Sequence, residues 1–123
     1  MNVEFVMKKD NVIAEKSFEF ALKIIQLYKE LHSENEFVIS KQLLRSGTSI
    51  GANVQESSAA FSKKDFVHKM SIASKEARET KYWLQLLHKS NITNISVDIP
   101  LKEVEQLINI LTKIVKTTQQ NLK

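Results

Sequence analysis

Turn-forming residues are scarce in this chain, which contains only two glycines and one proline among its 123 residues. An average protein contains about 12% of these two residues together. A sandwich or barrel of short strands needs a turn signal every ~8–12 residues, and a phosphate-binding loop needs closely spaced glycines. The sequence meets neither requirement. It therefore predicts an all-α fold of long helices with few connections.

Apolar residues recur every three to four positions in four segments, which is the spacing of amphipathic helices. The segments are residues 10–32, 38–62, 64–89 and 99–120. Short connections between long helices favour antiparallel neighbours. We therefore predict one domain, residues 1–123, folded as an antiparallel up-down-up-down four-helix bundle.

Three helix starts have candidate capping residues, whose side-chain oxygens can accept hydrogen bonds from the free amides of a first turn. Asp10 or Asn11 is suitably placed for the first helix, and Asp98 for the fourth. Ser62 followed by Asp65 resembles a capping box at the start of the third helix, with Asp in place of the usual Glu or Gln.

The first helix carries apolar residues on two nearly opposite sides, although a helix at the edge of a monomeric bundle needs only one apolar stripe. One stripe consists of Ala14, Phe18, Ala21, Leu22, Ile25 and Tyr28. The other stripe, together with apolar residues of the third helix, gives the predicted subunit interface: Ile13, Phe20, Ile24, Leu27, Leu31, Ile72, Trp83 and Leu86. Two stripes require two partners, so we expect a homo-oligomer.

Both glycines, Gly47 and Gly51, lie four residues apart inside the second predicted helix. Each costs about 1 kcal/mol relative to alanine at an exposed helical position. They mark either a weak point in the helix or a groove of small residues that lets another helix approach closely. We favour the groove because Ser46 and Ala52 are also small. The predicted core face of this helix consists of Ile39, Leu43, Ser46, Ile50, Val54 and Phe61.

A polar network is predicted either within the bundle or at a seam between subunits. Its proposed members are Arg45, Ser49, Asn53, Glu56, Glu76 and Glu79. Glu76 and Glu79 lie three residues apart and are neighbours on a helix surface. Buried carboxylates need cationic partners, and the planar guanidinium of Arg45 can bind a carboxylate through two hydrogen bonds. The alternative is an ordinary solvated face.

The positive charge of the chain is concentrated in one segment. Residues 1–62 carry seven basic and eight acidic residues, residues 63–89 carry seven and three, and residues 90–123 carry four and three. The net charge of +4 is therefore equal to that of the middle segment alone. Its candidate nucleic-acid-binding residues are Lys63, Lys64, Lys75, Arg78, Lys81 and Lys89. Phosphate contacts would give a salt-dependent, sequence-independent affinity. The alternative is a solvated face without a partner.

Catalytic and metal-binding patterns are missing from the sequence. It contains no cysteine, and His32, His68 and His88 lack the spacing of a metal site such as H-E-x-x-H. No oxyanion donor or nucleophile accompanies the Glu76 and Glu79 pair. We expect no enzymatic activity, no cofactor and no bound metal. The chain has no secretory signal pattern and no stretch of ~18 apolar residues, so we expect a cytoplasmic protein that does not enter a membrane.

Two segments of the chain resemble a known protein family. They are KQLLRSGTSIGANVQESSAAF, residues 41–61, and DFVHKMSIASKEARETKYWLQLL, residues 65–87. Arg45, Ser46, Ser49, Ile50 and Asn53 match an R-S-x-x-S-I-x-x-N string. Ile72 and Ala73 begin a segment that resembles a later I-A-x-x-x-x-E-x-x string, with Glu76 and Glu79 in the neighbourhood of its acidic position. The chain resembles, over residues 10–120, small bacterial proteins first noticed in intervening sequences of 23S ribosomal RNA genes.

This resemblance implies an antiparallel four-helix bundle that commonly assembles as a homopentameric ring. It also implies kinship with the accessory proteins of diversity-generating retroelements, which form basic pentameric barrels that bind nucleic acid. It brings no catalytic residue and implies no role as a ribosomal subunit.

Two functions follow as expectations from the residues and the resemblance together. In the first, the protein is a non-enzymatic homo-oligomer, a pentamer, that binds RNA or DNA through the basic face of the third helix. In the second, it is an oligomeric scaffold or adaptor whose partner is another protein. Both functions use the two apolar stripes, and the basic face favours the first.

Overall fold

Four α-helices make up most of residues 3–121, which a computed structural model describes, with side chains described from residue 12. The helices are α1 (Val3–Ser33), α2 (Val38–Ser57), α3 (Lys63–Ser90) and α4 (Asp98–Gln120). The described part of the chain contains no β-strand. The structure thus confirms the predicted all-α helical bundle.

The helices form a four-cornered bundle in which α1 packs against α2 and α4, and α3 packs against the same two helices. Within residues 3–121, no Cα atom of α1 lies within 8 Å of one of α3, and none of α2 lies within 8 Å of one of α4. Helices α1 and α2 run in opposite directions, as their contacts show: Gly47 lies against Ile24, whereas Gly51 lies against Ser17. Exposed faces of α1 and α3 therefore point away from each other.

The glycines of α2 lie where this helix approaches α1. A Cβ atom at position 47 would stand 2.9 Å from Cγ2 of Ile24, and one at position 51 would stand 3.3 Å from the carbonyl oxygen of Ser17. Both distances are shorter than most contacts of real side chains. The predicted groove of small residues is confirmed, and α1 of the same chain occupies it.

The core contains one complete apolar stripe of α1. Ile13, Phe20, Ile24, Leu27 and Leu31 are all buried inside the bundle, with at most 6% of each residue exposed. Their prediction as a subunit interface is therefore wrong, since a side chain buried within one chain cannot contact a second. The opposite stripe contains the exposed residues: Phe18 is 64% exposed, Leu22 53% and Ile25 40%.

The first helix begins earlier than the sequence predicted. Because α1 starts at Val3, Asp10 and Asn11 lie within it and neither caps it. Their side chains lie outside the described residues. At α4, the cap position is Val97 and Asp98 is the first helical residue, so the predicted cap Asp98 is also wrong.

The second helix ends at Ser57, whereas the sequence predicted Ser62. The hydroxyl of Ser57 donates to the carbonyl of Val54 at 2.6 Å, and that of Ser58 donates to the carbonyl of Gln55 at 2.7 Å. Such local bonds compete with the helical ladder. Phe61, predicted as core, lies beyond this end and is fully exposed.

The start of α3 is capped as predicted. The amide of Asp65 donates to the Ser62 hydroxyl at 3.0 Å, and Ser62 has an extended backbone. The Asp65 carboxylate in turn accepts from the amide of Phe61 at 3.4 Å. In a capping box this carboxylate would bind the amide of the cap residue itself. Here it binds the amide of the residue before the cap.

The start of α2 is capped by a residue that the sequence did not single out. The buried carboxylate of Glu36 accepts from the amides of Val38, Ile39 and Ser40, at 3.2, 2.9 and 2.6 Å. The Ser40 hydroxyl donates back to the Glu36 carbonyl at 2.6 Å. Three of the free amides of the first turn thus have a partner.

No helix within the described residues is long and apolar enough to cross a membrane.

Candidate nucleic-acid interface

The basic face of α3 extends along the whole helix. Lys63 and Lys64 lie in its first turn and Lys89 in its last, with Lys75 and Arg78 between them. All five side chains belong to exposed residues, whereas Lys81 is half-buried. At 1.5 Å per residue, the distance from Lys64 to Lys89 along the helix axis is about 37 Å.

Most cations of this face have no carboxylate partner. Lys81 Nζ lies 3.4 Å from Glu105 Oε1 on α4. Among the side chains that the structure describes, no carboxylate lies within 4.0 Å of the charged atoms of the other five, which are Lys63, Lys64, Lys75, Arg78 and Lys89. Five of the six predicted residues therefore present uncompensated positive charge to solvent.

Arg45 joins α2 to α3 through the two carboxylates that were predicted beside it. Its Nη1 atom lies 3.2 Å from Glu76 Oε2, and its Nη2 atom contacts Glu79 Oε2. The indole Nε1 of Trp83 donates to the same Glu79 oxygen at 3.2 Å. The Arg45 side chain is 49% exposed and that of Glu76 only 15%. Glu76 and Glu79 are thus both bound by Arg45, whose single positive charge offsets one of their two negative charges.

The other predicted members of this network bind elsewhere. The Ser49 hydroxyl donates to the Arg45 carbonyl at 2.7 Å, and the Asn53 amide donates to the Ser49 carbonyl at 2.9 Å. Glu56 pairs with Lys69 of α3 at 2.9 Å. The hydrogen bond to Glu56, and then its charge, raise the pKa of Lys69. The network that the sequence predicted as one unit is therefore two ion-pair clusters along the α2–α3 seam.

The apolar residues of α3 predicted at a subunit interface lie on the α2 side of its basic face. Ile72, Trp83 and Leu86 are all partly buried, and Trp83 packs against the bundle core. Tyr82 lies one helical turn from Arg78, on the basic face itself; it is 53% exposed and stacks edge-on against Trp83, with ring centroids 5.2 Å apart. An apolar strip beside the basic face is therefore accessible on α3.

A cleft on the other side of the basic face was not predicted from the sequence. It lies between α3 and α4 and has a volume of about 280 Å³. Its polar lining consists of Ser71, Ser74, Arg78, Thr112, Lys116 and Gln119. Lys116 and Gln119 were missed because only the packing of α4 against α3 brings them beside Arg78. The spacing of Thr112, Lys116 and Gln119 along one side of α4 was the only signal available.

The histidines take part in small local contacts. His32 lies against Tyr28 and Phe37, with ring centroids 5.3 and 4.6 Å away. His88 Nδ1 lies 3.8 Å from Asp98 Oδ1. Within the described residues, no three His, Asp or Glu side chains are grouped so that they could hold a metal ion.

The fold is similar to a solved structure of known family. A protein of unknown function from the S23 ribosomal protein family of Bacteroides thetaiotaomicron VPI-5482 has 48% sequence identity to the chain and superposes with a TM-score of 0.83. The match covers 88% of this chain and 98% of the other. A comparison with curated proteins found no match.

The family model of the 23S rRNA-intervening sequence proteins matches residues 9–119, nearly the whole chain. It includes both segments that carry the sequence resemblance and all six residues of the basic face of α3. The chain therefore belongs to the 23S rRNA-intervening sequence protein family.

Proposed function

We propose that this protein is a non-enzymatic, cytoplasmic homo-oligomer that binds RNA through the basic face of α3. The observation that carries the proposal is the row of exposed cations at Lys63, Lys64, Lys75, Arg78 and Lys89, none of which has a carboxylate partner among the described side chains. The acidic residues Glu76 and Glu79 of the same helix are bound by Arg45. Among the described side chains, both carboxylates therefore contact a cation of α2 and none of the cations of this face.

The length of the basic face supports a polymeric ligand over a small anion. Its length of about 37 Å is close to one helical turn of duplex DNA, ~34–36 Å. Cations distributed over that length can contact several phosphates of one strand. Each phosphate that a protein neutralises releases counterions and adds about −0.7 to the slope of log K against log salt for a single strand.

Assembly into a ring is supported by two different exposed apolar surfaces. Phe18, Leu22 and Ile25 lie on α1 at i, i+4 and i+7, and the half-buried Trp83 and Leu86 lie on α3, on the α2 side of its basic face. Since α1 and α3 occupy opposite corners of the bundle, a contact between the two surfaces joins successive copies head to tail. Such heterologous contacts generate closed rings when the rotation closes. The family resemblance favours a ring of five, which would repeat the basic face around its circumference.

The RNA-binding proposal is tested by titrating labelled single-stranded RNA, duplex RNA and DNA with the protein at low and moderate salt. We expect binding that weakens steeply with salt. Lys75→Gln should reduce the affinity and the salt slope, whereas Lys41→Gln, an exposed lysine on α2, should change neither. The absence of binding at low salt, where counterion release is strongest, would refute the proposal.

A second candidate function is a scaffold that binds another protein. Large apolar side chains are exposed outside the α1 surface, at Phe37, Val38 and Phe61. They favour a protein partner because nucleic-acid backbones offer no apolar surface to cover them. A stable oligomer that binds neither RNA nor DNA at low salt would favour this function over the first.

A further inference from the structure

We infer that the cleft between α3 and α4 is a binding site for a single phosphate group, with Arg78 and Lys116 as its cationic ligands. The inference rests on the proposed function, because the source we favour is a backbone phosphate of bound RNA. It adds a residue of α4 to a surface that otherwise belongs to α3 alone. Free inorganic phosphate has the same chemistry and is the other possible source.

The two cations stand on opposite walls of the cleft. Arg78 belongs to α3 and Lys116 to α4, and both line the same volume of about 280 Å³. Pockets for drug-sized ligands begin at ~300 Å³, so the cleft suits a phosphate with part of its sugar. Two like charges on the walls of one cleft concentrate positive potential there. An anion bound between them relieves that repulsion.

Among the residues that the structure describes, the guanidinium of Arg78 has one hydrogen-bond partner, on α4. Its Nη2 atom donates to the Thr112 hydroxyl oxygen at 3.3 Å. That hydroxyl in turn donates to the Ile108 carbonyl at 2.7 Å, so its lone pairs are directed outward. A guanidinium has five N–H donors, and this is the one bond that they make among the described residues. Thr112 therefore positions Arg78 without neutralising it.

Uncompensated charge distinguishes this cleft from the α2–α3 seam on the other side of α3. Neither Arg78 nor Lys116 has a carboxylate within 4.0 Å among the described side chains. On the seam, Arg45 and Lys69 both have one. The two seams of α3 thus differ in chemistry: one is closed by ion pairs, and the other offers cations without anions.

The hydroxyl and amide groups of the lining favour phosphate over a carboxylate. Ser71, Ser74 and Gln119 add neutral donors around the two cations, and a phosphate group has more acceptor oxygens than a carboxylate. Lys75, one helical turn from both Ser71 and Arg78, continues the positive surface outside the cleft. A strand that places one phosphate in the cleft can therefore place its neighbours along the exposed lysines.

The test compares Lys116→Gln with Lys113→Gln, an exposed lysine of α4 that does not line the cleft. Both variants remove one charge at the same end of α4, and circular dichroism checks that both remain folded. In titrations of single-stranded RNA, Lys116→Gln should weaken binding about three- to tenfold and lower the salt slope by ~0.7. Lys113→Gln should change the affinity less than twofold. If the two variants weaken RNA binding equally, the phosphate site is wrong, although the proposed RNA binding still stands.

A second arm uses inorganic phosphate alone and follows the backbone amide resonances of Ser71 and Thr112 by NMR. Shifts that saturate in the wild type and disappear in Lys116→Gln would support the site. If they occur in a protein that binds no RNA, the proposed function fails but the phosphate site stands, with free phosphate as its source. If neither RNA nor phosphate shifts the resonances of Ser71 and Thr112, the inference is overturned. Equal shifts with polyglutamate would also overturn it, because the site would then be one for acidic peptides.

Discussion

Gly47 of α2 lies so close to Ile24 of α1 that a Cβ atom at position 47 would stand 2.9 Å from Cγ2 of the isoleucine. The isoleucine has little freedom to move away, because β-branched side chains keep one χ1 rotamer in a helix. The absence of a side chain at position 47 therefore sets the separation of the two helices.

Gly47→Ala is expected to destabilise the protein. Overpacking costs ~1–3 kcal/mol, and the higher helix propensity of alanine returns about 1 kcal/mol. We expect a net loss of about 0–2 kcal/mol in the free energy of unfolding, measured by urea denaturation.

The Ile24→Ala background is the control for this clash. It removes the atoms that Gly47→Ala would meet, so the same substitution should become neutral or stabilising there. A loss of equal size in both backgrounds would show that contact with Ile24 is not the cause.

Arg45→Ala should destabilise the α2–α3 seam, because it leaves Glu76 and Glu79 without their cation. Arg45 is half exposed, so solvent screens the interaction and we expect a loss of only ~0.5–1.5 kcal/mol. The melting temperature of Arg45→Lys should lie between those of Arg45→Ala and the wild type, since an ammonium cannot offer a planar fork to two carboxylates. Thermal melting measures the effect.

The matching control is Glu79→Gln, alone and combined with Arg45→Ala. If the ion pairs account for the loss, the double variant should be less destabilised than the sum of the two single variants. If the stability losses of the two single variants add up to that of the double variant, Arg45 acts through packing alone.

Glu36→Ala should destabilise the start of α2, because it removes the acceptor of three backbone amides. Loss of a helix N-cap costs about 0.5–2 kcal/mol, and we expect a value in the upper half of that range. Urea denaturation measures the effect, with Glu15→Ala as the control. Glu15 is an exposed glutamate of α1, so its substitution removes the same charge without removing a cap. Equal stability of the two variants would contradict this role for Glu36.

The sequence was sufficient to predict the features that depend on neighbouring residues in the chain. Helical periodicity, the Ser62 cap and the close approach at Gly47 and Gly51 all follow from short-range patterns. The pairing of Arg45 with Glu76 and Glu79 also followed, because one arginine stood beside a carboxylate pair on adjacent helices.

Apart from the Arg45 ion pairs and the close approach at the two glycines, features that depend on how the helices assemble could not be predicted. The two stripes of α1 are both apolar, and only packing decides that Ile24 faces inward and Leu22 outward. Glu36 lies two residues before the first residue of α2, and a glutamate at that position is not a recognised capping signal in a sequence. Lys116 reaches the cleft only because α4 runs beside α3. Each of these depends on tertiary contacts that periodicity along one helix does not encode.

The ion pair of Lys69 with Glu56 predicts a pH dependence at alkaline pH. The pair raises the pKa of Lys69 above its ordinary value of 10.5. A pKa that is raised in the folded state adds to the free energy of unfolding. This contribution is fully present below pH 10.5 and is lost as the pH rises through the raised pKa. Glu56→Gln should therefore lower the pKa of Lys69, as measured by NMR titration of its Cε resonance. An unchanged pKa in that variant would exclude Glu56 as the cause.

The exposed surface of α1 leads to a prediction about assembly. The double substitution Phe18→Gln and Leu22→Gln removes two large apolar side chains from the proposed contact between copies. Glutamine is a good helix former, and both positions lie outside the core, so the bundle should stay folded. We expect light scattering to give a mass near 14.1 kDa for this variant and a multiple of it for the wild type.

Val12→Gln is the matched control for this prediction. Val12 is also an exposed apolar residue of α1, at 45%, but at 100° per residue it lies away from the line of Phe18, Leu22 and Ile25. It should therefore leave the oligomer intact. A wild-type protein that is itself monomeric would contradict the assembly. An oligomer that survives the double substitution would show that copies meet through another surface.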